Sequence, residues 1–100
     1  MSFSTHVLDA VTGRPAAGMG VRLEHQGRVV AEGRTDGDGR INGWEPAAAG
    51  VHRVVFDTGG YLEDTFYPEV VITFTVADPA GHHHVPLLLS PYAYTTYRGS

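Results

Sequence analysis

Glycine and proline divide this sequence into short segments, and that division restricts the folds it can adopt. Thirteen glycines and six prolines stand among 100 residues, which favours many turns and leaves little room for long helices. Between the breaks, apolar and polar side chains alternate. Val21, Leu23 and His25 share one face of a predicted strand, while Arg22 and Glu24 share the other. The pattern predicts a fold built from short β-strands.

The predicted strands begin about ten residues apart along the chain. They cover residues 4–9, 20–26, 29–34, 41–44, 51–57, 69–77, 82–89 and 92–97. Short strands at this spacing favour the packing of one sheet on another. We therefore predict an all-β fold, an antiparallel two-sheet β-sandwich, in a single domain over residues 1–100.

Three of the intervening segments have distinct predictions. Residues 12–15 form a turn, because glycine and proline occur there together. Residues 45–50 form a connection that is too short for a helix. Residues 58–66 are the best helix candidate, with Thr58 as the capping residue. We expect one short helix there.

Composition excludes several functional classes. The formal net charge is −4 at pH 7 with histidine neutral, and no cluster of basic residues indicates a nucleic-acid surface. No apolar run approaches the ~18 residues that span a membrane. The first residues lack the basic start and long apolar core of a signal peptide. We expect a cytoplasmic protein that binds neither nucleic acid nor membrane.

The absence of cysteine means that no disulfide stabilises this small chain. A domain of this size buries roughly 60–70 % of its unfolded surface. Small domains often gain further burial from a metal or from a partner subunit. The tyrosine-rich last strand is a candidate surface for a second copy of the chain.

Three of the six histidines are consecutive, at His82, His83 and His84. On a strand His82 and His84 face one side, and His83 faces the other. Together with His6, the first pair could ligate zinc, which takes three or four protein ligands. Histidines at a strand end are also common on solvated surfaces, and spacing alone does not decide between the two interpretations.

Arg40 follows the sharpest loop of the sequence, TDGDGR. The loop is superficially like an EF-hand calcium loop, but that motif requires an oxygen ligand at the position of Arg40 and a glutamate at that of Ala47. We interpret it as a tight turn, in which aspartate bonds its own backbone and glycine permits positive φ. Such a turn could hold Arg40 in a fixed direction.

A metal-free hydrolytic site is a second interpretation of the polar residues. A neutral histidine can take a proton from water, an arginine can hold a carbonyl or anionic oxygen, and a tyrosine can donate to an oxyanion. His6, His84, Arg40 and Tyr97 supply these groups. Neither a G-x-S-x-G elbow nor a cysteine is present, which disfavours a covalent acyl-enzyme.

Nearly the whole sequence resembles the 5-hydroxyisourate hydrolases, the enzymatic branch of the transthyretin-like proteins. The matching segments are THVLD (5–9), TGRPA (12–16), TDGDGR (35–40), VVFDTGGY (54–61), YPEV (67–70) and HVPLLLSPYAYTTYRGS (84–100). The terminal YRGS is the most specific of them, because it separates the hydrolases from transthyretin itself.

The resemblance implies both an activity and an assembly. It implies a transthyretin-like (prealbumin-like) sandwich that hydrolyses 5-hydroxyisourate to 2-oxo-4-hydroxy-4-carboxy-5-ureidoimidazoline, in urate degradation towards allantoin. It implies no metal and no cofactor. It also implies a homotetramer, a dimer of dimers, with active sites in the channel between the dimers. By position, the implied catalytic residues are His6, His84, Arg40 and Tyr97, and the implied substrate-binding residues are His6, Arg40, Tyr97 and Ser100.

One position departs from the family pattern. The family commonly has tyrosine between the two histidines of the last segment, where this chain has His83. Because His83 alternates away from His84, we expect little effect on the chemistry. The alternative function is a transthyretin-like carrier of a small aromatic ligand. A carrier channel needs apolar lining, so the polar set of His6, Arg40 and His84 argues against it.

Overall fold

The computed structural model describes residues 2–46 and 48–100, which form short strands and one short helix. In chain order the elements are β1 (Ser2–Asp9), β2 (Arg14–Pro15), β3 (Gly20–His25), β4 (Arg28–Arg34), β5 (Arg40–Trp44), β6 (Gly50–Phe56), α1 (Thr58–Tyr61), β7 (Val70–Val76), β8 (His82–Ser90) and β9 (Ala93–Thr96). Apart from β2, every strand overlaps a strand predicted from the alternation of side chains.

The strands form the two sheets of a β-sandwich. One sheet has the order β2-β1-β8-β9, with β5 also paired to β1, and the other has the order β4-β3-β6-β7. The predicted antiparallel sandwich is confirmed, with one exception. The pairing of β1 with β8 is parallel. Parallel neighbours need a long connection, and here the whole second sheet lies between the two strands in the chain.

The core lies between the sheets and is filled by the inward faces of both. Phe3 and Val7 of β1, Leu87 of β8, and Leu23 and Phe56 of the other sheet are fully buried. Each side chain of this size contributes roughly 1.5–3 kcal/mol when it leaves water. Because alternate residues of β1 and β8 point into this core, the residues between them point to the outer face of their sheet.

The helix is shorter than predicted, and a different residue caps it. It ends at Tyr61, so 62–66 lie outside it. The carboxylate of Asp57, rather than Thr58, accepts the hydrogen bond from the Gly60 N–H at 3.1 Å. Thr58 is buried, and its hydroxyl donates to the carbonyl of Tyr67. The cap prediction was wrong because the buried threonine hydroxyl is already committed to that carbonyl.

Two other segments complete the comparison with the prediction. Part of the turn predicted over 12–15 pairs with β1 as the two-residue strand β2. The connection predicted over 45–50 includes Ala47, which lies outside the described residues. Within the described ranges, no helix has the length and apolar character needed to cross a membrane.

Candidate active site

The loop before β5 places Arg40 next to β1. The Asp36 carboxylate accepts a hydrogen bond from the Arg40 N–H at 2.9 Å. Gly39 has a φ of 74°, and a Cβ there would lie 2.4 Å from the carbonyl oxygen of Val7, so only glycine fits. The predicted tight turn is confirmed, and it sets Arg40 opposite His6 in the β1–β5 pairing.

The parallel pairing of β1 with β8 brings two of the predicted histidines to one surface. Ser4 pairs with His84, and His6 pairs with Pro86. Residues two apart on a strand share a face, so His6 and His84 both lie on the outer face of this sheet. His82 lies on the same face, and its ring stacks with that of His84 at a centroid distance of 6.3 Å. We call this surface, formed by His6, Arg40, His82 and His84, the histidine face.

His84 is half-buried and is held by Ser4. Its Nδ1 lies 2.7 Å from the Ser4 hydroxyl oxygen, and Ser4 is itself buried. Burial lowers the pKa of His84 from its ordinary value, and electrostatic repulsion from the nearby Arg40, His82 and His6 lowers it further. The imidazole is therefore neutral near pH 7, with a ring nitrogen able to accept a proton.

The C-terminal residues turn back onto His84. The Gly99 N–H donates to the His84 carbonyl oxygen at 2.9 Å. A Cβ on Gly99 would lie 2.3 Å from Cδ2 of the His84 ring. The glycine backbone therefore lies directly against the imidazole, and any side chain at this position would displace one of the two.

The other two predicted site residues, Tyr97 and Ser100, lie on this C-terminal tail. Tyr97 and Arg98 line a cavity of about 300 Å³ together with His84, Ile72 and Phe74. The side chain of Tyr97 is 57 % exposed. Ser100 is exposed at the end of the tail. The structure thus brings together His6, Arg40 and His84, places Tyr97 at the cavity beside His84, and leaves Ser100 open to solvent.

The geometry does not support zinc ligation by His6, His82 and His84. In the part of the chain that the structure describes, no three His, Cys, Asp or Glu side chains are arranged to hold a metal ion. The ring nitrogens of His82 instead face the hydroxyls of Ser2 and Ser4.

His83 faces away from the histidine face, as the alternation predicted. It is buried between the sheets and lines the same cavity from the inside. Its Nδ1 has no hydrogen-bond partner among residues 2–46 and 48–100. The departure from the family pattern at His83 therefore affects the cavity and the packing around it rather than the histidine face.

Sequence reasoning missed Ser4 and Gly99 as parts of the site, and it named His82 only as a candidate zinc ligand. The sequence offered one signal, because Ser4 stands two residues before His6 and therefore shares its face. The contact of Ser4 with His84 depends on a pairing between residues 80 apart in the chain. The contact of Gly99 with the imidazole likewise depends on the return of the tail.

The arrangement suits general-base hydrolysis. It combines the neutral, partly buried imidazole of His84 on β8 with the permanently charged guanidinium of Arg40 on β5, and both strands pair with β1. The imidazole can accept a proton from water, and the guanidinium can hold an oxygen on which negative charge develops.

Comparison with known proteins identifies similar chains over nearly the full length. The model of the HIUase/Transthyretin family matches residues 3–99. A 5-hydroxyisourate hydrolase of Salmonella dublin is 47 % identical over 108 residues, which cover 97 % of this chain and 79 % of that protein. The solved 5-hydroxyisourate hydrolase of Klebsiella pneumoniae has a TM-score of 0.92 at 34 % identity and covers 100 % of both chains. Sea bream transthyretin in complex with thyroxine has a TM-score of 0.85 at 33 % identity, covering 97 % of this chain and 93 % of its own.

Proposed function

This chain belongs to the HIUase/transthyretin family, and we propose that it hydrolyses 5-hydroxyisourate to 2-oxo-4-hydroxy-4-carboxy-5-ureidoimidazoline, a step of urate degradation. The observation that carries the proposal is the convergence of His6, Arg40 and His84 on one face of a sheet. These are the residues that the resemblance to the hydrolases implies. They come from three strands that are distant in the sequence.

His84 is the residue best suited to act as the general base. Its Nδ1 is held by Ser4 at 2.7 Å, which leaves Nε2 as the nitrogen that meets the reacting water. Its lowered pKa keeps it neutral at the pH of the cell. A base of this kind contributes typically 10²–10⁴-fold to a rate.

His6 and Arg40 form the substrate-binding side of the site. They stand opposite each other on β1 and β5, beside His84. The Arg40 guanidinium holds the ring carbonyl oxygen as it gains negative charge during attack by water. His6 orients the substrate and the attacking water through its imidazole.

Tyr97 and Ser100 complete the substrate pocket from the C-terminal tail. Tyr97 lines the cavity beside His84, and its hydroxyl donates a hydrogen bond to the bound substrate. Ser100 binds the substrate from the end of the tail. Both side chains are solvent-exposed in the isolated chain, and the walls that enclose the substrate include a neighbouring subunit.

The assembly we propose is a cytoplasmic homotetramer, a dimer of dimers, in which residues 1–100 form one transthyretin-like domain. β7 and β9 each end a sheet, and an edge strand offers unpaired backbone groups to another chain. Tyr92 and Tyr94 on and beside β9 are exposed, as is Phe66 next to them in space. Pairing with a second copy covers these rings.

Carriage of a small aromatic ligand is the competing function. Sea bream transthyretin, of similar fold, binds thyroxine in its solved structure. The histidine face of this chain carries three imidazoles and a guanidinium, which are poor partners for an apolar ring. These side chains support hydrolysis.

The test is the decay of freshly generated 5-hydroxyisourate, followed by ultraviolet absorbance with and without the purified protein. We expect catalytic amounts to accelerate the decay, and incubation with a chelator to leave the rate unchanged. Decay at the spontaneous rate would refute the hydrolase. Loss of activity with the chelator would instead restore the metal interpretation of the histidines.

A further inference from the structure

A row of four side chains connects His84 with the exposed edge of the histidine face. Ser4 Oγ lies 2.7 Å from Nδ1 of His84 and 3.3 Å from Nε2 of His82. On the far side, Nδ1 of His82 is hydrogen-bonded to Ser2 Oγ. The parallel register sets Ser2 opposite His82 and Ser4 opposite His84, so the row follows directly from the pairing of β1 with β8.

The row can hold its protons in either of two directions. A serine hydroxyl both donates and accepts, and a neutral imidazole donates from one nitrogen and accepts at the other. In the first direction the Nδ1–H of His84 donates to Ser4, and the Ser4 hydroxyl donates to Nε2 of His82. In the second direction each of these hydrogen bonds is reversed. Only the first leaves Nε2 of His84 free to act as a base.

We propose that Ser4 and His82 are positioning residues that take a proton from Nδ1 of His84 during hydrolysis and return it afterwards. The proposal rests on the function proposed above, with His84 as the base. Ser4 selects the reactive tautomer of His84, and His82 holds the transferred proton where water can solvate the charge.

The proton balance has two halves. As water attacks the ring carbonyl, its O–H bond breaks and its proton moves to Nε2 of His84. The Nδ1 proton moves to Ser4, and the Ser4 proton moves to Nε2 of His82. When the ring C–N bond breaks, Nε2 of His84 gives its proton to the leaving nitrogen. The proton on His82 then returns through Ser4 to Nδ1 of His84, and the starting state is restored.

The surroundings of His84 explain why such a transfer helps. His6 on β1, Arg40 on β5 and His82 on β8 face its ring, and Arg98 of the tail lines the cavity beside it. An imidazolium at His84 would stand half-buried among these cationic or protonatable groups. His82 is exposed, so moving the charge there places it in water.

Variants of the two positioning residues test the proposal. We expect Ser4→Ala to lower kcat by about 10–100-fold with KM changed less than about twofold, since the groups that bind substrate are untouched. Ser4→Thr keeps the hydroxyl and should recover most of kcat. His82→Gln should lower kcat to a similar extent, because an amide fills the position but has no basic nitrogen to accept the transferred proton. Ser90→Ala on β8 and His25→Gln on β3 are the matched controls and should retain native kcat.

Two further measurements report the transfer itself. The solvent deuterium effect on kcat should curve with the deuterium fraction in the native protein, because several protons move together, and should be linear in His82→Gln. The side-chain ¹⁵N shifts of His84 should show Nδ1 protonated in the native protein and a mixture of tautomers in Ser4→Ala. This second readout is independent of activity.

The outcomes separate this proposal from the function on which it rests. Native kcat in both Ser4→Ala and His82→Gln, with His84→Ala inactive, would overturn the transfer and leave the hydrolase standing. A native protein without activity would refute the hydrolase, and unchanged ¹⁵N shifts in Ser4→Ala would then overturn the Ser4 contact as well. If Ser4→Ala does not fold, Ser4→Thr and His82→Gln decide the test. The proposal is overturned if kcat is lost in Ser4→Thr or stays native in His82→Gln.

Discussion

Gly99 lies so close to the imidazole of His84 that the residue type at this position controls the geometry of the base. Gly99→Ala would put a Cβ 2.3 Å from Cδ2 of the ring, and either the tail or the imidazole must then move. A misplacement of about 1 Å can cost ~10²-fold in rate. We expect kcat to fall by about 10–100-fold while the urea midpoint changes little.

Gly37→Ala is the matched control for this substitution. A Cβ at Gly37 meets no atom within 4 Å, and its φ is not in the left-handed region. If both variants retain native kcat, the contact between the tail and His84 has no part in catalysis.

The pKa of His84 predicts where activity is lost at low pH. A base works only when it is neutral, and burial together with the charge of Arg40 lowers the pKa of His84 below its ordinary value. Activity should therefore persist at pH ~6.5, where a free histidine is half-protonated, and should fall at more acidic pH. Arg40→Gln removes one positive charge and should move the midpoint to higher pH.

Profiles of kcat against pH for the two proteins measure this shift. A flat profile between about pH 5 and 8 in the native protein would show that no histidine acts as the base. A midpoint that does not move in Arg40→Gln would show that the guanidinium does not act on His84.

At the residue scale, the sequence and its resemblance to the hydrolases predicted the polar site residues but not the contacts that hold them in place. His6, Arg40 and His84 could be named because they stand in matching segments. Ser4 could not, because a serine on a strand is commonplace and its partner lies 80 residues away. Such contacts depend on which strands pair, and no local turn links β1 to β8 to indicate that pairing.

Among the elements, the loop between β4 and β5 contributes directly to the site. The Asp36 carboxylate accepts hydrogen bonds from the N–H groups of Asp38 and Arg40, each at 2.9 Å. We expect Asp36→Ala to lower the free energy of unfolding by about 1–2 kcal/mol, since two hydrogen bonds are lost. KM should rise, because the first residue of β5 is no longer held.

Asp38→Ala controls for the loss of a carboxylate from this loop. The Asp38 side chain makes no hydrogen bond to the described residues. Urea unfolding and steady-state kinetics should separate the two variants, and equal effects in both would mean that the loop acts only through its charge.

The alternation of side chains predicted the strands well and their pairing partners only in part. β3, β6 and β7 occupy predicted segments, and consecutive strands such as β3 and β4 pair antiparallel because short loops join them. The parallel partner of β1 could not be predicted, since no local turn links it to β8. The helix ended early because Gly59 and Gly60 form half of it and glycine is a poor helix former.

At the scale of the whole molecule, the buried His52 makes the free energy of unfolding depend on pH. His52 is fully buried, its Nε2 has no hydrogen-bond partner in the described part of the chain, and its ring stacks on His25 at 4.3 Å. Burial lowers the pKa of His52, and the nearby His25 and His83 lower it further. The unfolded chain therefore binds protons more readily than the folded one, and stability present above pH ~6.5 is lost as the pH falls below it.

Urea unfolding at several pH values measures this dependence. One such group changes the free energy of unfolding by at most about 1.4 kcal/mol per pH unit, and His84 acts in the same direction. Leucine has a volume similar to that of histidine, so His52→Leu should still pack. Its free energy of unfolding should depend less on pH between about pH 7 and 5. An unchanged slope in the variant would show that His52 does not cause the dependence.

The central claim for the molecule is that the histidine face, with His84 as base, hydrolyses 5-hydroxyisourate. The most direct measurement is the rate of decay of freshly generated 5-hydroxyisourate in the presence of native protein, His84→Asn and His25→Asn, each shown to be folded. We predict acceleration by the native protein and by His25→Asn, and a loss of about 10²–10⁴-fold in His84→Asn. Native activity in His84→Asn, or equal losses in both variants, would contradict the claim.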